Sequence, residues 1–279
     1  MTDSTRPISA SCLLLLTVLC GLGAAGTAAA QALPNPYRLV DGWAKFADGR
    51  EVGAVGDTIV DPDGAHIWAV IRCDAPGELF GWECRESDLD PIIKFDAEGN
   101  AVESFGRGLF IWPHGLDIDS DGNVWVTDAV RQRHIPDGDR RGHQVIKFSP
   151  TGDVLMVLGT PGESGTGPNH FTSPADVVVA DNGDIFVADG HEPESNNRIV
   201  KYAADGSYLM SWGGTGYAPG QFRGVHARSM DREGRIFVAD RWNNRIQIFT
   251  QDGEHLSSWT QFGRPSGIAF DDHGRIYVA

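Results

Sequence analysis

Cysteine is scarce in this chain. Two of its four cysteines fall within the first twenty of 279 positions, leaving too few for a disulfide-stapled mini-domain or a zinc knuckle. Positive charge is also in deficit. Against 38 Asp and Glu there are 23 Lys and Arg, a formal net charge of −15. That balance argues against electrostatic binding of nucleic acid or of an anionic membrane surface. It is compatible with divalent cations, but plain solubility is the commoner reason for such a balance. Helical periodicity is missing as well, so the pattern reads as all-β.

The N-terminus is a separate object. "MTDSTRPISASCLLLLTVLCGLGAAGTAAAQA" places one arginine before an apolar run from Cys12 to Leu22, then small residues ending at Ala28-Ala29-Ala30. This is the order of a secretory signal, and the run is too short and too weakly flanked for a membrane span. Residues 1–30 are therefore expected to be a signal peptide, cut after Ala30 or Ala32, with residues 31–279 forming the mature domain. Leu19 before Cys20 is not the small residue a lipid anchor needs, so no membrane anchor is expected after cleavage. The mature chain keeps Cys73 and Cys84, expected as a disulfide in a secreted or periplasmic protein.

What the sequence does have is an internal repeat. "GDTIVDPDGAHIWAVI", "HGLDIDSDGNVWVTD", "ADVVVADNGDIFVAD", "HARSMDREGRIFVAD" and "SGIAFDDHGRIYVA" each read as strand, glycine turn and strand. Several continue into two more strands, as in "NRIVKYAADGSYLMSWG". Four antiparallel strands per repeat make the blade of a β-propeller. Gly64, Gly122, Gly183, Gly234 and Gly274 mark five blades, the last stopping after two strands at Ala279. About four and a half blades are thus expected. "VADRWNNRIQIF" is close to the signature of NHL repeats.

The repeat supplies an internal control for unusual residues. Eight positions before the turn glycines stand Gly56, His114, Ala175, His226 and Ser266, at the start of the channel-lining strand. Histidine in two blades and small residues in the others suggests a shared metal ion, or else a polar lining. His170 and His191, in loops on the same rim, are secondary candidates. Arg72 follows the second strand of the first blade, just before the cysteine loop. It suits a carboxylate ligand, with a salt bridge to Asp74, Glu83 or Glu86 as the alternative. Arg241 in "ADRWNNR" reads as repeat text with a structural role.

"LFIWPHGLDIDSDGNVWVTD", with "NHFTSPADVVV" and "GQFRGVHARSMDREGRIFVADRWNNRIQIF", resembles the peptidyl-α-hydroxyglycine α-amidating lyase family, six-bladed NHL-type propellers. The resemblance covers residues from about Tyr37 to Ala279. It implies zinc held by His114 and His226, a substrate carboxylate held by Arg72, and calcium held partly by the carbonyls of Leu116 and Thr58. It also implies a third zinc histidine in a blade later than that of Ser266. The family has Asp-Gly-Tyr where this chain reads Asp189-Gly190-His191, which makes His191 a candidate base or ligand. The implied activity is lyase cleavage of the C–N bond of a small peptide or small-molecule substrate ending in α-hydroxyglycine, by a monomer. A non-catalytic NHL propeller binding protein or carbohydrate is the competing expectation. A calcium-dependent lactonase fits less well, because its metal ligands would be acidic.

Overall fold

The computed structural model describes residues 37–46, 50, 53–73 and 83–279. The expected signal at residues 1–30 lies outside the described residues, as does Asp74. Asp41–Ala279 forms one compact unit.

The strands fall into successive antiparallel sheets paired in sequence order. The first holds β1 (Val55–Val60), β2 (Ile67–Ile71), β3 (Ile92–Phe95) and β4 (Ala101–Phe105). The second holds β5 (Pro113–Ile118), β6 (Val124–Asp128), β7 (Gln144–Phe148) and β8 (Val154–Leu158). The third holds β9 (Pro174–Val179), β10 (Ile185–Asp189), β11 (Arg198–Tyr202) and β12 (Tyr208–Gly213). The fourth holds β13 (Val225–Met230), β14 (Ile236–Asp240), β15 (Arg245–Phe249) and β16 (His255–Trp259). A two-stranded sheet of β17 (Ile268–Phe270) and β18 (Ile276–Val278) follows. The expected four and a half blades are there.

The turn glycines work as the repeat implies. Gly64, Gly122, Gly183, Gly234 and Gly274 all have φ between 70° and 86°, where a side chain is strained. Each closes its turn by donating an N–H to the carbonyl three residues back, as Gly122 does to Asp119 at 2.9 Å.

Blades pack face to face through apolar clusters. Trp68, Val70, Ile92 and Phe105 of the first blade meet Val124, Val126, Ile146 and Phe148 of the second. Trp125 and Leu158 then meet Val177, Ile185 and Val200 of the third, and Ile199 meets Val238 and Phe249 of the fourth. The second strands of the second, third and fourth blades are wholly buried because both of their faces are covered. Fourth strands are largely exposed.

One repeated device aims the channel strands. The aspartate ending the second strand is fully buried in three blades, at Asp128, Asp189 and Asp240. Its carboxylate accepts N–H groups from the loop entering the first strand of the same blade. Asp128 takes those of Ile111 (2.7 Å) and Trp112 (2.9 Å), Asp189 that of Thr172 (2.8 Å), and Asp240 that of Arg223 (2.8 Å). Charged acceptors make the stronger hydrogen bonds, so the residues just before His114 and His226 are held firmly. The first blade has Ile71 at this position, followed by Arg72. Next to Arg72, Cys73 and Cys84 form the expected disulfide, both 3% exposed.

Candidate metal centre

β1, β5, β9, β13 and β17 line a cavity of about 240 Å³, with His114 and His226 at its edge. The column pattern has a direct cause. The Nδ1 of His114 lies 2.9 Å from the carbonyl oxygen of Ala175, and the Nδ1 of His226 lies 2.9 Å from that of Ser266. Each imidazole therefore leans over the equivalent position of the next blade, which carries a small residue. Gly56 is restricted by a different contact, since a Cβ there would stand 2.7 Å from the carbonyl oxygen of His114 in the following blade.

His191 joins them from the loop after β10. Gly190 lets the chain turn there, because a Cβ would lie 2.8 Å from the Cα of Asn197. The Nδ1 of His191 is 2.9 Å from a carboxylate oxygen of Glu192, which also pairs with Arg131. Ring centroids are 4.7 Å apart for His114–His191, 5.0 Å for His114–His226 and 4.7 Å for His191–His226. One nitrogen from each ring lies within 4.8 Å of the others.

The donor chemistry fits zinc. A carbonyl or carboxylate oxygen only accepts, so each Nδ1 carries the proton and each Nε2 keeps a free lone pair. Burial, aided by neighbouring cationic groups, holds His114 and His191 well below the usual imidazole range and His226 down to about 4. All three rings are neutral at pH 7, the form that binds metal. Tetrahedral zinc needs nitrogens about 3.3 Å apart, so closure asks for side-chain shifts of about 1 Å.

Arg72 points to the same place. Its guanidinium carbon lies 3.9 Å from the ring centroid of Trp112, which is 5.2 Å from His114 and 5.0 Å from His191. Burial brings its pKa down to about 10, and its Nε has no hydrogen-bond partner among the described residues. Of the alternative partners, Glu83 pairs with Arg85 at 2.9 Å. A desolvated, incompletely paired guanidinium beside a metal-ready cluster is suited to an anionic ligand.

Arg241, read from the sequence as structural, also belongs here. Its Nε donates to the Ser266 hydroxyl at 3.1 Å, and its charge acts on His191 and His226. His170 instead stands beside Glu163 at 4.0 Å and is not part of the cluster. Thr58 and Leu116, the candidates for carbonyl ligation of calcium, both border the cavity; Thr58 is exposed and Leu116 buried. Among the described residues the third imidazole of the cluster is His191.

The fold and the histidine cluster define an NHL-type propeller with a metal-ready channel, and residues 110–134, 171–202 and 229–249 match the NHL repeat family. The chain is 38% identical over 189 residues to the peptidyl-glycine alpha-amidating monooxygenase of Mus musculus, covering 64% of this chain and 18% of that protein. It is 33% identical over 210 residues to the probable peptidyl-alpha-hydroxyglycine alpha-amidating lyase of Caenorhabditis elegans, covering 71% of this chain and 56% of that one. The virginiamycin B lyase of Staphylococcus aureus shares the fold, with TM-score 0.52, 13% identity, and coverage of 81% of this chain and 62% of that one. The chain carries NHL repeats and is similar to proteins named as amidating lyases. It spans about a fifth of the length of the monooxygenases it matches.

Proposed function

We propose that this is a secreted or periplasmic zinc-dependent lyase, acting as a monomer on a small peptide or small molecule ending in α-hydroxyglycine. The carrying observation is the set of three imidazoles whose ligand nitrogens lie within 4.8 Å of one another, beside a half-buried arginine whose Nε has no hydrogen-bond partner among the described residues. The exported state is supported by the signal-like N-terminus and by the closed Cys73–Cys84 disulfide.

His114, His226 and His191 would hold the zinc. Bound zinc would lower the pKa of the substrate hydroxyl and stabilise charge on its oxygen. Arg72, braced on Trp112, pairs with the substrate carboxylate through two parallel hydrogen bonds. Arg241 adds positive potential that favours an anionic substrate. In the reaction the hydroxyl loses its proton, its C–O bond becomes a carbonyl, and the C–N electron pair goes to nitrogen. Nitrogen takes up a proton, giving an amide and glyoxylate. The ligand role is favoured over the base role for His191 by its Nδ1, which is tied to Glu192, and by its ring centroid lying 4.7 Å from each of the other two.

The test is purified protein with N-benzoyl-α-hydroxyglycine, following benzamide and glyoxylate together with zinc content. Equimolar products, lost in His114→Ala along with zinc, are expected. Zinc-loaded, folded protein that releases neither product refutes the reading.

A further inference from the structure

The channel floor carries its own positive charge. Asp57, Asp117 and Asp176 border the same cavity as Arg228, and each carboxylate reaches across to the next blade. Asp57 on β1 accepts the N–H of Leu116 on β5 at 3.2 Å, besides that of Thr58 at 2.8 Å. Asp117 on β5 accepts the N–H of Val179 on β9 at 2.8 Å. Asp176 on β9 accepts the N–H of Arg228 on β13 at 3.1 Å and its Nη1 at 2.8 Å. The first strands of four blades are thereby stapled one to the next by carboxylates.

Arg228 is 5% exposed, and its Nε and Nη2 have no hydrogen-bond partner among the described residues. Its charge acts on Asp57 and Asp117 as well as on Asp176. A calcium ion collects six to eight oxygens at about 2.3–2.6 Å. On this floor it would meet a fixed guanidinium with N–H groups still to place, and the two cations repel. The strand-to-strand ties that a cation would provide are already made by side chains.

We propose that the Arg228 guanidinium is the resident cation of the channel floor, so that the carbonyls of Leu116 and Thr58 do not collect calcium in this chain. The proposal stands apart from the lyase reading and requires no zinc.

It is tested by equilibrium binding of radioactive calcium and by thermal unfolding with calcium chloride up to about 5 mM, above the range of weak extracellular calcium modules. Wild-type protein is expected to bind no stoichiometric calcium and to keep its Tm. Arg228→Met leaves three acids without their cation and should gain calcium-dependent stability, a Tm rise of roughly 2–4 °C. Arg228→Lys keeps the charge and should remain indifferent. Stoichiometric calcium on the wild type overturns the proposal, even if Arg228→Met fails to fold. So does an Arg228→Met protein that folds and ignores calcium, or an Arg228→Lys protein that responds as Arg228→Met does.

Discussion

Glu192→Gln separates the metal centre from the fold that carries it. The substitution keeps the side-chain shape and leaves an acceptor oxygen for the Nδ1 of His191, now 2.9 Å from the carboxylate. It removes the negative charge that makes the imidazole more electron-rich, and it breaks the ion pair with Arg131. Loss of such a supporting carboxylate costs about 10–100-fold in metal affinity, or roughly 1.4–2.7 kcal/mol. Fold stability should change far less. The Arg131 and Glu192 side chains remain 22% and 17% exposed, and pairs still in contact with water contribute about 1 kcal/mol or less. The assay is competition for zinc with a chromophoric chelator at fixed pH, paired with urea unfolding of the metal-free protein. Unchanged zinc affinity, with His191→Ala weakening it, would refute the role of Glu192. Equal losses in affinity and stability would mean that Glu192 merely supports the loop.

Zinc retention should hold from pH 8 down to about pH 5 and fail towards pH 4. Protons compete for the same nitrogen, and a ring pKa lowered to about 4, as at His226, moves that competition down from the usual 6.5 or so; loss of zinc centred near pH 6.5 would contradict it. Arg72→Met should reduce kcat/KM for the carboxylate substrate by about 10–100-fold, from the loss of roughly 1.5–3 kcal/mol of charge-assisted pairing, with zinc content intact. Phe148→Ala, between the first two blades, should cost about 3–5 kcal/mol by urea unfolding. Replacing Cys73 and Cys84 together by serine opens a link of sequence separation 11 and should cost about 3 kcal/mol, read by the same method.

Repetition made most of the fold legible. Each blade restates the turn glycine and the buried second strand, so a single sequence contains its own alignment, and blade boundaries follow from Gly64 through Gly274. The same control exposed His114 and His226, because duty shared by all blades would place one residue type at that position. His191 was harder to place. It sits on a loop outside the column, and its approach to the other rings depends on the Gly190 turn and on Glu192. Arg241 was hidden by its repeat text, since the sequence cannot show that this copy faces two histidines. The floor network left no column either. Asp57 and Asp176 follow the histidine column by one residue, Arg228 by two and Asp117 by three. Only the stagger between neighbouring strands brings those side chains to one cavity.

The proposed chemistry rests on three imidazoles of this chain holding one zinc ion. X-ray absorption at the zinc edge, on protein loaded with one equivalent and stripped of loose metal, tests it most directly. Three nitrogen scatterers are expected at about 2.0–2.1 Å, with the outer-shell pattern of imidazole reduced when His191 is replaced by alanine. A shell of oxygen or sulfur alone, or an imidazole count indifferent to His114, His191 and His226, would contradict it.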